Sequence, residues 1–231
     1  MWRIFDRFII PILFIALSAT FVTATVAEIV SQISTPTNIA TQEVEDKEEC
    51  FAISQYDNIF KEIGAEYNID WRFLASIARA ESRFRFDAVS QAGAVGLMQI
   101  MPLVAHNMGY TREQLFDPRT NVEVAAKLLH DNIRMLHLPK SFDHTERLKF
   151  ILACYNAGYS RIADARRLAQ YYDANAEKWN IVALFLSWLS DPEFAECELV
   201  QSGAFHGSKE TIEYVDKVIH LYTIYVSEIR L

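Results

Sequence analysis

The amino-acid sequence predicts an all-α fold for most of the chain. Beyond residue 50, apolar residues recur at spacings of three and four, which is the periodicity of helices packed on a core. No regular alternation of apolar and polar residues is present, and 231 residues include only seven glycines and six prolines, which disfavours an all-β domain. Because 51% of the residues are hydrophobic, we expect one compact domain with a substantial core.

An uncharged apolar segment lies near the start of the chain. Arg3 and Arg7 precede residues 8–27, which carry no charge and are long enough to cross a bilayer as a helix. Residues 1–30 are therefore interpreted as either a cleavable signal peptide or a transmembrane anchor. Since arginines tend to stay in the cytoplasm, both alternatives predict that the rest of the chain lies on the outer side of the membrane.

Residues 31–49 are polar and end in an acidic run, which is typical of a solvated tether. The pattern changes at Cys50, and the globular domain is expected to span residues 50–231. Its first helix is indicated by apolar residues on one broad stripe, with Gly64 near the end of the helix. The residues of this stripe are Phe51, Ile53, Tyr56, Ile59, Phe60 and Ile63.

A second helix is predicted to follow Asp70, whose short side chain is well suited to cap a helix N-terminus. Its apolar residues recur at helical spacing, and Glu81 falls on the same buried face. Residues 91–96 contain two glycines and are interpreted as a small loop.

Pro102 is favourable in the first turn of a third helix, which is expected to reach residue 108 and to end before Gly109. Thr111 and Gln114 have the spacing of a capping box. A long amphipathic helix is predicted after Asp117 and Pro118, marked by apolar residues from Val122 to Leu136, and further helices are predicted over residues 145–157, 160–172, 179–189 and 209–229.

Charge, histidine and cysteine content exclude several functions. A formal net charge of -8 provides no basic field for nucleic acid, which is therefore not expected as a partner. The six histidines lack the spacing of metal ligands, so no metal is expected. A disulfide between Cys50 and Cys197 is possible, whereas Cys154 lies in an apolar run and is interpreted as a small buried hydrophobe.

Glu81 is the most informative residue, because a carboxyl on the apolar face of a helix either forms an ion pair or stays protonated with a raised pKa. Arg85, four residues later, is the candidate ion-pair partner. A carboxyl protonated near neutral pH is what cleavage of a glycosidic bond requires, because the leaving oxygen must receive a proton. Periodicity alone leaves both alternatives open.

Four short segments resemble the motifs of lytic transglycosylases related to goose-type lysozyme. The first two are ES at 81–82 with DAVS at 87–90, and GAVGLMQIMP at 93–102. YNAG at 155–158 resembles the third, with Cys154 where alanine is usual, and Glu210, Thr211 and Tyr214 match the fourth. Ile212 departs from the arginine frequent at that position. The resemblance covers about residues 56–225.

This resemblance implies a lysozyme-like helical domain whose groove binds the alternating N-acetylglucosamine and N-acetylmuramic acid of peptidoglycan in the bacterial cell envelope. It implies that Glu81 protonates the bridging oxygen and then acts as a base, so that the product carries a 1,6-anhydro ring. No cofactor is expected. The alternatives are a goose-type muramidase that admits water and a wall-binding module without turnover.

The resemblance also places polar candidate residues at the groove. Ser90, Gln99 and Asn156 are predicted to bind the sugars' acetamido and hydroxyl groups, with loop capping as the alternative. Glu210 is predicted either to bind near the groove and tune Glu81, or to favour the start of the last helix. Asp87 is expected to cap a turn rather than to act as a second acid.

Apolar groove walls are predicted for four further residues. Met98 and Met101 are candidates for an apolar wall, although core filling is the ordinary role of methionine. Tyr155 and Tyr214 combine a flat apolar face with a hydroxyl group, which suits packing against sugars as well as an ordinary core position. The tryptophans on helical stripes are interpreted as structural, and they are Trp71, Trp179 and Trp188.

Overall fold

The computed structural model describes residues 52–229, which form nine α-helices and no named strand. The helices are α1 Asp57–Tyr67, α2 Trp71–Glu81, α3 Pro102–Asn107, α4 Pro118–Leu136, α5 His144–Ala157, α6 Tyr159–Tyr171, α7 Trp179–Trp188, α8 Pro192–Ala195 and α9 Ser208–Glu228. The all-α prediction is therefore confirmed. The predicted apolar segment, the tether and Cys50 of the possible disulfide lie outside the described residues. Within 52–229, no helix is long and apolar enough to cross a membrane.

Four of the described helices, α2, α4, α5 and α8, begin at aspartate caps, whose carboxylates accept a hydrogen bond from a backbone N–H in the first turn. Asp70 accepts from the Arg72 N–H at 2.9 Å, which confirms the predicted cap of α2. Asp117 accepts from the Thr120 N–H at 2.8 Å, and Asp143 accepts from the Glu146 N–H at 2.9 Å. These local signals place the starts of the long helices within one or two residues of their predicted positions.

The first helix differs from the prediction at both ends. It begins at Asp57, because the Asp57 carboxylate accepts from the N–H groups of Ile53 and Ser54 and closes a turn ahead of the helix. Gly64 lies inside α1, where a Cβ atom would come within 2.6 Å of the Ile69 carbonyl oxygen. Its absent side chain allows this close approach, and the helix ends at Tyr67, followed by Asn68 with a left-handed φ of 53°.

Smaller differences follow along the chain. The predicted capping box forms, with the Thr111 N–H donating to Gln114 at 2.8 Å, and it precedes a 3-10 turn, Glu113–Phe116, that was not predicted. The short helix α8 was not predicted. Its N-terminus is capped by Asp191, whose carboxylate accepts a hydrogen bond from the Glu193 N–H. Helix α3 ends one residue earlier than expected.

In the core, α9 packs against both α2 and α5, α1 packs against α2 and α4, and α4 packs against α5. Trp71 and Trp179 are buried in it, as predicted, whereas Trp188 is half-buried and packs against Phe185 with ring centroids 4.6 Å apart. Cys154 is also buried, which confirms its interpretation as a core residue. This packing brings α5 and α9 to the last turn of α2, where Glu81 lies.

Candidate active site

Glu81 is the last residue of α2, and its side chain is half-buried at the end of a helix whose apolar face is fully buried. The chain leaves the helix sharply, because Arg83 and Phe84 both adopt left-handed backbone conformations with φ of 56° and 63°. Arg85 is thereby turned aside, and its Nε donates to the Ser82 carbonyl at 3.4 Å. The alternative of a Glu81–Arg85 ion pair is wrong, since no ion pair within residues 52–229 includes Glu81.

Burial raises the pKa of the Glu81 carboxyl from 4.5 to about 7. Contact with the Tyr214 hydroxyl and the positive charge of Lys217 lower this pKa, and the negative charge of Glu210 raises it. A pKa near 7 means that protonated and ionised forms coexist near neutral pH. The same carboxyl can therefore donate a proton and afterwards accept one.

Two tyrosines from different helices lie beside Glu81. The Tyr155 hydroxyl, on α5, donates to the Met98 carbonyl at 2.7 Å. The Tyr214 hydroxyl, on α9, is buried without a hydrogen-bond partner among the described residues; it lies near the Glu81 carboxyl but outside hydrogen-bond geometry. Burial, and secondarily the charge of Glu81, raise the pKa of both phenols, so both remain protonated donors.

Residues 82–101 form a loop held mainly by backbone hydrogen bonds. Val95 and Ile100 exchange two of them, at 2.9 and 3.0 Å, and the Gly96 N–H donates to the Ala88 carbonyl at 2.8 Å. Gly96 has a φ of 82°, and a Cβ atom there would clash with Asn121 and with the Leu115 carbonyl. Glycine is therefore required at this position for both backbone shape and space.

Asn121, on α4, is fully buried and ties this loop to the core. Its Oδ1 accepts from the Met98 N–H at 2.7 Å, and its Nδ2 donates to the carbonyls of Val95 and Leu115, both at 2.9 Å. Asn121 was not predicted from the sequence to have a role at the site. A signal was present, because Asn121 is a polar residue on the same helical stripe as the apolar Val124 and Ala125.

The four predicted ligands on the 82–101 loop occupy different environments. The Ser90 Oγ accepts from the Ala94 N–H at 2.9 Å, and the Gln99 Nε2 donates to the Ala88 and Gly96 carbonyls, so both side chains stabilise the loop. Met101 is 41% exposed, whereas Met98 is fully buried. The prediction that the Met98 side chain contacts substrate is therefore wrong, since this side chain fills the core. Of the two methionines, only Met101 offers apolar surface.

Asn156 is hydrogen-bonded to Thr211, the residue that follows Glu210. The Thr211 Oγ1, beside Glu210, donates to the Asn156 Oδ1 at 2.8 Å, which joins the end of α5 to the start of α9. Asn156 and Glu210 are both exposed, so their remaining polar atoms are available to a ligand. Ile212, at the position where the motif differs, is half-buried against the core.

Asp87 departs from its predicted role as a turn cap. Its side chain is exposed and forms no hydrogen bond with the described residues. The turn is closed by the backbone instead, with the Ala88 N–H donating to the Arg85 carbonyl at 3.4 Å. Asp87 is also not among the charges that shift the pKa of Glu81. The described residues hold no cluster of three or more acidic, histidine or cysteine side chains suited to a metal.

Residues 58–180 match a family model described as the transglycosylase SLT domain. The chain is 31% identical over 176 residues to a membrane-bound lytic murein transglycosylase F from Marinobacter nauticus, a match that covers 75% of this chain and 33% of the relative. A protein of the same name from Stutzerimonas stutzeri is 34% identical over 144 residues, covering 62% of this chain and 28% of that relative. The chain thus spans about a third of the length of these curated relatives.

A solved structure shares the fold. The 70 kDa soluble lytic transglycosylase from Escherichia coli superposes with a TM-score of 0.53 at 23% identity, covering 75% of this chain and 24% of that one. The similarity shows that residues 52–229 adopt the same lysozyme-like helical fold.

Proposed function

The chain belongs to the transglycosylase SLT domain family, and we propose that it is a peptidoglycan lytic transglycosylase. The observation that carries this proposal is the half-buried Glu81 carboxyl at the end of α2, whose pKa burial raises to about 7. The names of its relatives, which are lytic murein transglycosylases, support the same reaction class.

In the first step, the protonated Glu81 donates its proton to the oxygen that bridges N-acetylmuramic acid and N-acetylglucosamine. The bond from this oxygen to the muramic acid C1 then breaks, and the glucosamine residue leaves as an alcohol. The positive charge that develops at C1 is stabilised by the acetamido oxygen of the same sugar. This internal group replaces the second carboxylate that retaining glycosidases use.

In the second step, the ionised Glu81 takes the proton from the primary hydroxyl of the muramic acid. The freed oxygen attacks C1 and closes a 1,6-anhydro ring. The proton given in the first step is thereby recovered, and no water or cofactor is consumed. A single carboxyl with a pKa near the working pH suffices for both steps, and the absence of any shift in the Glu81 pKa from Asp87 agrees with a one-acid reaction.

Substrate binding is assigned from the resemblance of the four motif segments to those of the family. We assign hydrogen bonding of the sugars to Ser90, Gln99, Asn156 and Glu210, and apolar contact to Met101. Tyr155 and Tyr214 are assigned a polar role at the acid itself, because both hydroxyl groups are protonated and buried beside it. Affinity is expected from hydrogen bonds and sugar packing, since the net charge of -8 does not favour approach to an anionic wall.

The proposed location is the periplasmic side of the bacterial cell envelope. This placement rests on the apolar segment of residues 8–27 and on the substrate, which is found there. N-terminal sequencing of the protein isolated from the cell envelope distinguishes the two alternatives for residues 1–30. A retained anchor leaves the N-terminus of the chain in place, whereas a removed signal leaves an N-terminus near residue 30.

Product analysis tests the reaction. Purified sacculi are incubated with the protein in water enriched in oxygen-18, and the released muropeptides are analysed by mass spectrometry, with Glu81→Gln as the matched blank. We expect anhydro-muropeptides, one water lighter than the products of hydrolysis and without the heavy oxygen. Reducing ends that carry one heavy oxygen would instead show a hydrolytic muramidase, and binding without any release would show a wall-binding module.

A further inference from the structure

One face of α9 presents three polar residues to the end of α2. Glu210, Tyr214 and Lys217 are separated by four and three positions, so they lie on one stripe of the helix. All three act on the Glu81 carboxyl, Tyr214 and Lys217 by lowering its pKa and Glu210 by raising it. From α5, Tyr155 is the other titratable group coupled to this carboxyl.

Lys217 also makes a direct contact with α2. Its Nζ donates to the carbonyl oxygen of Ala80 at 2.7 Å, across 137 positions of sequence. Ala80 precedes Glu81, and carbonyls in the last turn of a helix have no partner within the helix. A cation at this end is favourable, because the helix dipole makes it negative.

The need for such a contact arises from the backbone that follows. Arg83 and Phe84 both have positive φ, so the chain cannot continue the helix and cannot supply the Ala80 carbonyl with the usual N–H partner. Neither residue is glycine, and left-handed backbone at such residues costs about 1 kcal/mol or more each. The orientation of Glu81 therefore depends on contacts from outside α2.

We propose that Lys217 is a positioning residue that caps α2 through the Ala80 carbonyl, fixes the direction of the Glu81 carboxyl and balances the negative charge of Glu210. The proposal rests on the proposed function, because it assigns Lys217 a part in the acid and base steps. It extends the fourth motif by one turn, since the resemblance at Glu210, Thr211 and Tyr214 did not include Lys217.

Opposite charge changes on one helix face give opposite predictions. Lys217→Met removes the charge that favours ionised Glu81, so ionisation should move to higher pH. Glu210→Gln removes the charge that opposes it, so ionisation should move to lower pH. Each shift is expected to be roughly half a pH unit, the size of a solvent-screened interaction over several ångströms.

The experiment is a carboxyl titration of the full chain with carbon-13-labelled glutamate side chains, in which the Glu81 signal is assigned from its absence in Glu81→Gln. Lys209→Met is the matched control, because Lys209 lies on the same helix, is 88% exposed and pairs at 3.8 Å with Glu213. It removes the same charge away from Glu81 and should leave the titration unchanged. Lys217→Arg keeps the charge and should titrate like the wild type.

A second readout is the pH profile of muropeptide release. Activity requires protonated Glu81, so its loss at high pH should move upward in Lys217→Met and downward in Glu210→Gln. If Lys217→Met leaves the Glu81 titration in place, or if Lys217→Arg shifts it as far as Lys217→Met does, the proposal is overturned. The titration needs no turnover, so a protein that released no fragments would refute the proposed function and still test Lys217.

Discussion

Glu81 lies between two regions that are built differently. On one side is the helical wall, defined as α2, α5 and α9, where side chains pack densely and bury the carboxyl. On the other is the 82–101 loop, whose shape comes from backbone hydrogen bonds and from the buried amide of Asn121. The helical wall sets how strongly Glu81 holds its proton, whereas the loop sets which surfaces surround the substrate. Variants in the two regions should therefore fail in different ways.

The largest effect is expected at the junction of the two regions. Glu81→Gln should reduce glycan cleavage by about 100- to 10,000-fold, because an amide cannot donate an acidic proton. Sacculus binding and the circular dichroism spectrum should be unchanged, since glutamine has nearly the same shape. Muropeptide release is the measurement, and turnover within a factor of ten of the wild type would contradict the role of Glu81.

The helical wall should also make Glu81 a source of instability. Its pKa is raised from 4.5 to about 7 by burial, so between these pH values the folded chain holds a proton that the unfolded chain has lost. The free energy of unfolding should consequently fall as pH rises through this window, by at most about 3 kcal/mol.

Glu81→Gln lacks this titration. Relative to the wild type it should gain stability between about pH 4.5 and about pH 8, as measured by urea denaturation. If the free energies of unfolding of Glu81→Gln and the wild type differed by the same amount at both pH values, Glu81 would not be held in a dry environment.

Two glycines in the 82–101 loop allow the effect of backbone conformation on stability to be distinguished from the effect of packing. Gly96→Ala places a Cβ atom against Asn121 and within 2.6 Å of the Leu115 carbonyl oxygen, whereas Gly93→Ala meets nothing within 4 Å. Both residues have positive φ, so the backbone penalty is shared. Gly96→Ala should therefore be less stable than Gly93→Ala by about 1–3 kcal/mol in urea denaturation. Equal losses would mean that Asn121 does not hold the loop tightly.

The two tyrosines provide the smallest effect and link the regions. Tyr155→Phe removes the hydrogen bond from α5 to the Met98 carbonyl of the loop and should lower stability by about 1 kcal/mol. Tyr214→Phe removes a hydroxyl without a hydrogen-bond partner among residues 52–229, so at about pH 5 its stability should stay within about 0.5 kcal/mol of the wild type. Tyr214→Phe should instead move Glu81 ionisation to higher pH. A larger stability loss in Tyr214→Phe than in Tyr155→Phe would reverse this assignment.

Local signals predicted the helical wall well. The Asp70 cap placed the start of α2, and apolar periodicity placed α5 and α9 within one or two residues, because both signals act within a few positions of the chain. The buried position of Glu81 followed from the same periodicity. The start of α1 was missed because Asp57 closes a turn that periodicity does not encode.

Contacts that depend on tertiary packing were not predictable in this way. The sharp exit from α2 occurs at Arg83 and Phe84, and neither residue type signals a left-handed backbone. The contact of Lys217 with Ala80 joins residues 137 positions apart. Whether Met98 or Met101 faced the core likewise depended on how the loop folds onto Asn121.

The central claim is that helix packing gives one carboxyl a proton affinity suited to both steps of glycan cleavage. Titration of the Glu81 carboxyl in the wild-type chain, by carbon-13 resonance, tests this most directly. The structure predicts a midpoint at about pH 7. A midpoint near 4.5, the ordinary value for glutamate, would show a solvated, ionised carboxyl and would contradict the account.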